Sequence, residues 1–168
     1  HINLAIALHN TGSLPQARQH YDLAVQYDRG DGNAQLWRAR FFLKTEEYDK
    51  ARDDFLTAEK LTNDYYSIHA GLAQSYAGLG EPEKSADRAA KAAEIDFTRF
   101  GFDIVSIAQP YFASNDRTED GVTFFDRLLV RWPNVAWLHG NRSALLRRLG
   151  RIAEAEAAEK ASKEAAGE

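Results

Sequence analysis

The chain has 168 residues, 44% of them hydrophobic and 27% charged, a balance that fits a folded core and is too apolar for a disordered chain. Lys and Arg number 21 against 25 Asp and Glu, a net charge of −4, so the basic excess of a general nucleic-acid binder is missing. No cysteine is present, which excludes disulfides, thiolate-held metals and a cysteine nucleophile but leaves the compartment open. No apolar run is long enough to span a bilayer.

Alanine is abundant, Val and Ile are few, and apolar residues recur at three- and four-residue spacing. That pattern predicts helices throughout and no strand. His1 to Leu8 reads as helix interior with no N-cap before it and no secretory signal pattern. It predicts more chain upstream, or a homo-oligomer contact covering Ile2, Leu4, Ile6 and Leu8. Reversals are then expected at Asn10–Ser13, Lys44–Glu47, Gly78–Glu81, Ser114–Arg117 and Arg148–Arg151. Pro15 and Pro82 stand near the start of the helices that follow, where a missing N–H costs little. The stretch Phe97–Phe102 carries two residues beyond the spacing of its neighbours, and Pro110 is expected to bend or end its helix near residue 109. This break either retwists the packing or opens a pocket lined by Phe102, Ser106 and Tyr111. From Arg151 to Glu168 the chain reads as an Ala-, Glu- and Lys-rich helix whose apolar content fades, as a terminal cap with one wet face requires.

The elements repeat. Small residues follow the turns at Ala17, Ala51 and Ser85, in steps of 34, and after a two-residue shift at Gly121 and Ala155, again 34 apart. Twelve residues before each stand Ala5, Ala39, Ala73, Gln109 and Ser143, and four after each stand Tyr21, Phe55, Ala89, Phe125 and Glu159. Five before each stand Gly12, Glu46, Gly80, Asp116 and Gly150. Small residues let neighbouring helices approach closely, large ones fill the space beside them, and the Gly or acidic column marks the chain reversal. One unit is therefore two antiparallel helices and a tight turn.

This register resembles the tetratricopeptide repeat, a two-helix unit of 34 residues. The resemblance covers essentially the whole chain, and residues 66–96 match it best through Leu72, Ala73, Tyr76, Gly80, Glu81, Ala92, Ile95 and Asp96. It implies an all-α fold: a right-handed superhelical solenoid of antiparallel helix pairs, about five repeats long. The units fall near 1–31 (truncated at its start), 32–65, 66–101, 102–135 and 136–168. The first helices would line a concave face. Carried over by register, that face holds Asn33, Leu36, Trp37, Arg40, Leu43 and Lys44 in the second unit and Ser67, Ala70 and Gln74 in the third. It continues through Asp103 and Ser106 in the fourth and Trp137, Asn141 and Arg147 in the fifth. Some family members clamp a partner's C-terminal carboxylate through a Lys, Asn and Arg set across three units. The corresponding places here hold Ile2, Ile6, Trp37, Ser67 and Gly71, so no such clamp is expected.

The groove so defined is apolar at its N-terminal end, with positive charge at Arg40 and Lys44, and suits a peptide or partner-protein segment with hydrophobic anchors and a carboxylate. The same Arg40 and Lys44 would otherwise pair with Glu46 and Glu47. No catalytic, metal or cofactor site is expected: the five histidines lack metal-binding spacing, the glycines lack phosphate-loop context, and Asp28–Asn33 lacks the spacing, sixth-position Gly and closing Glu of a calcium loop. Neither Arg29-Gly30-Asp31 nor the helical sequon Asn141-Arg142-Ser143 carries weight alone. The sequence thus predicts a non-enzymatic interaction scaffold. Its rivals are the regulatory or targeting region of a larger enzyme and a self-assembly module stacking through the N-terminal end. Richness in alanine and arginine suggests a GC-rich bacterial genome.

Overall fold

The reversals explain the fold in the computed structural model, which describes residues 1–112 and 115–167, without the side chains of Phe102, residues 105–110 and Asn115. Among the described residues there are ten α-helices, one 3-10 turn at Asn115–Arg117 and no strand. They come in pairs: α1 (Ile2–Asn10) with α2 (Leu14–Tyr27), α3 (Gly32–Lys44) with α4 (Tyr48–Leu61), and α5 (Tyr65–Gly78) with α6 (Pro82–Ile95). Then follow α7 (Phe97–Phe112) with α8 (Thr118–Arg131) and α9 (Ala136–Arg148) with α10 (Ile152–Ala166). In four pairs the same hydrogen bond closes the turn. The amides of Ser13, Glu47, Glu81 and Arg151 donate to the carbonyls of Leu8, Phe42, Tyr76 and Leu146 at 2.8–2.9 Å. That bond needs a left-handed residue just before the donor, and Gly12, Glu46, Gly80 and Gly150 supply it with φ of 80°, 60°, 78° and 73°.

Each hairpin closes on its small residues. Ala5 and Ala17, Ala39 and Ala51, and Ala73 and Ser85 are all fully buried. The serines in these columns satisfy their hydroxyls across the hairpin: Ser85 donates to the Ala73 carbonyl at 2.8 Å, and Ser143 to the Ala155 carbonyl at 3.0 Å. Large side chains then tie one pair to the next. Phe55 on α4 is fully buried and lies where a Cβ on Gly71 of α5 would come within 2.2 Å of its ring. The core runs from one pair into the next, as a stack of hairpins that cannot bury their faces alone requires. Arginines bridge successive pairs in a repeated way: Arg38 reaches back to Asp22 and Arg142 back to Asp126, each sixteen residues upstream.

The expected break near residue 100 takes a different form. The boundary placed at residue 102 falls inside a helix, because α7 begins at Phe97, directly after Asp96. The Asp96 carboxylate accepts the Arg99 amide at 2.9 Å and starts the helix there. The extra residues are thus helical. Phe100 is fully buried; Phe97 meets Trp132 and Trp137 at ring separations of 5.5 and 6.2 Å, and Phe100 meets Trp137 at 6.0 Å. Pro110 does not end the helix near 109; α7 continues to Phe112. The expected pocket involves Phe102 and Ser106, whose side chains lie outside the described residues.

Candidate functional site

The first helices α3, α5 and α7 lie side by side, and two joined cavities run along them. Both are lined by Arg40 and Leu43 of α3 and by Gln74 of α5. The smaller, about 190 Å³, continues past Tyr66, Ser67, Ala70 and Gly71 to Arg99 and Asp103 of α7. The wider, about 500 Å³, opens toward Lys44, Glu46, Tyr48 and Tyr111. Local sequence explains the floor. Ser67, Ala70 and Gly71 place small or absent side chains along one face of α5, with Gln74 one turn on, which leaves room between α3 and α7.

The charges divide the groove. At the narrow end Tyr66 donates to the Asp103 carboxylate at 2.6 Å, and the Arg99 guanidinium lies 4.0 Å above the Tyr66 ring with its Nε 3.5 Å from Asp103. Burial, and then the bond to Asp103, make the Tyr66 phenol a much weaker acid than usual. Arg99 is thereby neutralised within the protein. Arg40 is held less firmly. Its guanidinium lies 4.7 Å from the Trp37 ring, and its nearest carboxylate is Asp64 at 4.0 Å. Burial lowers its pKa, Asp64 opposes that shift, and Arg99 adds repulsion. Lys44 is exposed and has no ion pair within 4.0 Å among the described residues. The expected pairing of Arg40 and Lys44 with Glu46 and Glu47 is absent, since Glu47 is taken by Arg18 at 3.2 Å and by Lys50. The groove therefore carries incompletely neutralised positive charge on α3, beside the apolar Leu43.

Of the residues expected on this face, Arg40, Leu43, Lys44 and Gln74 come together, with Trp37 beneath Arg40. Leu36 does not join them; at 3% exposure it belongs to the core between the first pairs. Asn33 is exposed in the first turn of α3, its amide donating to Asp31 at 2.9 Å, and lines neither cavity. Trp137 is drawn into the aromatic cluster with Phe97 and Phe100. The Asn141 amide donates to the Trp137 carbonyl of its own helix at 2.8 Å. Arg147 faces α10, where it holds Glu159 through two bonds of 2.7 and 2.8 Å. Ser106 lies outside the described side chains. Register reasoning missed Tyr66 and Arg99, which depend on where α7 begins, and Glu46 and Tyr48, which belong to the turn. Among the described residues no group of three or more His, Asp or Glu is placed to hold a metal ion, and no helix is long and apolar enough to cross a membrane.

Stacked antiparallel helix pairs in constant register, with first helices forming an inner wall, define a helical-repeat solenoid. The repeats are similar to the tetratricopeptide repeat, whose family model matches residues 1–22 and 136–158, in the first and last pairs. Solved structures agree on the fold. One described as YrrB, "a TPR protein with an unusual peptide-binding site", superposes with a TM-score of 0.62 at 18% identity, covering 98% of this chain and 84% of the other. Two structures of MamA give TM-scores of 0.63 and 0.64 at 12% and 11% identity. They cover 98% and 99% of this chain and 88% and 96% of theirs. No curated protein matches the sequence significantly.

Proposed function

We propose that the protein is a non-enzymatic interaction scaffold that holds an extended peptide or partner segment along the groove of α3, α5 and α7. The observation that carries this reading is the positive charge left open on α3. Among the described residues Arg40 has only a long ion pair to Asp64 and Lys44 has no ion pair, while both border Leu43 and a continuous groove. An acidic side chain binds between the two cations, and an apolar neighbour rests on Leu43. The Gln74 amide, half-buried on the floor, offers a donor and an acceptor to the peptide backbone. The solved neighbour described as having a peptide-binding site is consistent with this use of the fold.

The test is the double charge reversal Arg40→Glu with Lys44→Glu, assayed on an array of short synthetic peptides blocked at both ends. The variant is expected to keep its helical circular dichroism and to lose affinity for the acidic peptides selected by the wild type by about a hundredfold or more, as reversal of two contact charges implies. Unchanged affinity removes this site assignment. A second reading, self-association through the first pair, is supported by Leu4 at 50% and Tyr27 at 76% exposure. Light scattering decides it: a constant monomer mass across concentration rejects it.

A further inference from the structure

Among the described residues Glu46 is the sole non-glycine with positive φ. The equivalent turns at Gly12, Gly80 and Gly150 use the residue that adopts this conformation without strain. The left-handed conformation is unfavourable for glutamate, and its side chain contributes no ion pair within 4.0 Å among the described residues. The carboxylate instead lines the wider cavity beside Tyr48 and Tyr111, whose rings meet edge to face at 5.5 Å. Tyr48 is fixed there by a gap in α5: a Cβ on Gly78 would lie 2.4 Å from its ring. Burial and the Glu46 charge both make the two phenols weaker acids, which places that charge close to them.

We propose that Glu46, Tyr48 and Tyr111 form a subsite for a basic side chain of the bound peptide, opposite the acidic-residue site on α3. This rests on the groove reading above. A carboxylate with no ion pair among the described residues, next to two half-buried aromatic rings, is the arrangement that takes an ammonium or guanidinium, by charge and by cation–π attraction. Lys44 lines the same cavity but makes no ion pair with Glu46 within 4.0 Å. With a cationic pole on α3 and an anionic pole at the turn, the groove distinguishes the two directions in which a peptide carrying one acidic and one basic residue can lie.

The test uses the same blocked peptide array with wild type, Glu46→Gln and Glu46→Gly. Wild type is expected to select peptides holding both an acidic and a basic residue. Glu46→Gln should lose the preference for Lys or Arg by about tenfold and keep that for Asp or Glu. Glu46→Gly should do the same while raising the melting temperature by about 2–4 °C, because the turn is relieved. Selection by the wild type without a basic preference, or an undiminished one in Glu46→Gln, overturns this inference alone. No selection by the wild type, or selection that ignores acidic residues, overturns the groove reading beneath it.

Discussion

Two depressions of nearly equal size mark this molecule, and they differ in what becomes of their charges. The inner groove at α3 opens to about 500 Å³, and a hollow between α6 and α8 to about 520 Å³. The hollow has more charge: Lys84, Arg88, Lys91 and Arg131 with Asp87 and Glu94. Most of that charge is spent within the protein. Arg88 binds Glu59 at 2.6 Å, Lys84 binds Glu81, Arg131 binds Glu94, and Arg127 binds Asp87 from above at 2.6 Å. The pairs of Arg88, Arg127 and Arg131 fasten α6 to α4 and α8, and that of Lys84 stays within the start of α6. In the groove, among the described residues, Lys44 and Glu46 have no ion pair within 4.0 Å and Arg40 only the one to Asp64 at 4.0 Å. Volume is alike in the two and charge content is higher in the hollow; a larger share of unspent charge is what sets apart the groove proposed to bind.

The comparison breaks most directly under charge reversal. Lys84→Glu with Arg131→Glu should leave affinity for the selected acidic peptides within about twofold, against a loss of about a hundredfold for the groove pair. Binding titrations on both variants check it. A steric change comes next. Gly71→Ala puts a methyl group 2.2 Å from the ring of fully buried Phe55, which has nowhere to swing. The expected loss is about 2–3 kcal/mol by denaturant unfolding, with m unchanged.

Acid should then act on the seam, and in the same sense on His9, whose pKa is lowered by burial and then by the Lys44 charge. His69, 8% exposed, lies 3.6 Å from Glu59 with the Arg88 guanidinium 3.3 Å from its Nδ1. Burial, then Arg88 and Lys91, lower its pKa, while Glu59 and Glu94 oppose the shift. The unfolded chain therefore takes up the proton first, and stability falls as pH drops below the ordinary imidazole value of 6.5. Melting temperature against pH should show that decline, with a shallower slope in His69→Gln. The smallest effect is Ser85→Ala, which loses the 2.8 Å bond to the Ala73 carbonyl and costs about 1 kcal/mol.

The hairpins were legible because their signals are local. A glycine five residues before a small residue states both a left-handed turn and a close helix contact, and Gly12, Gly80 and Gly150 say so directly. The groove was legible only where helix rotation matches the family register. Leu36 and Trp137 were misplaced because long-range packing decides which way a half-apolar face turns, and Phe97 and Phe100 claimed the tryptophan. Arg147 was misplaced because Glu159 stands in a column that elsewhere holds Tyr21, Phe55, Ala89 and Phe125, none of them charged. Arg99 and Asp103 became partners only once α7 began at Phe97, which sets them four apart on one helical face. Glu46 had a signal in the sequence, a carboxylate in a glycine column; its meaning needed the cavity.

Amide and side-chain chemical shifts followed while a selected, blocked acidic peptide is added test the central claim most directly. The account predicts that the largest changes gather at Arg40, Leu43, Lys44 and the Gln74 side-chain amide, while Lys84, Asp87 and Arg131 stay in place. Changes centred on α6 and α8, or on the first helix pair, would contradict it.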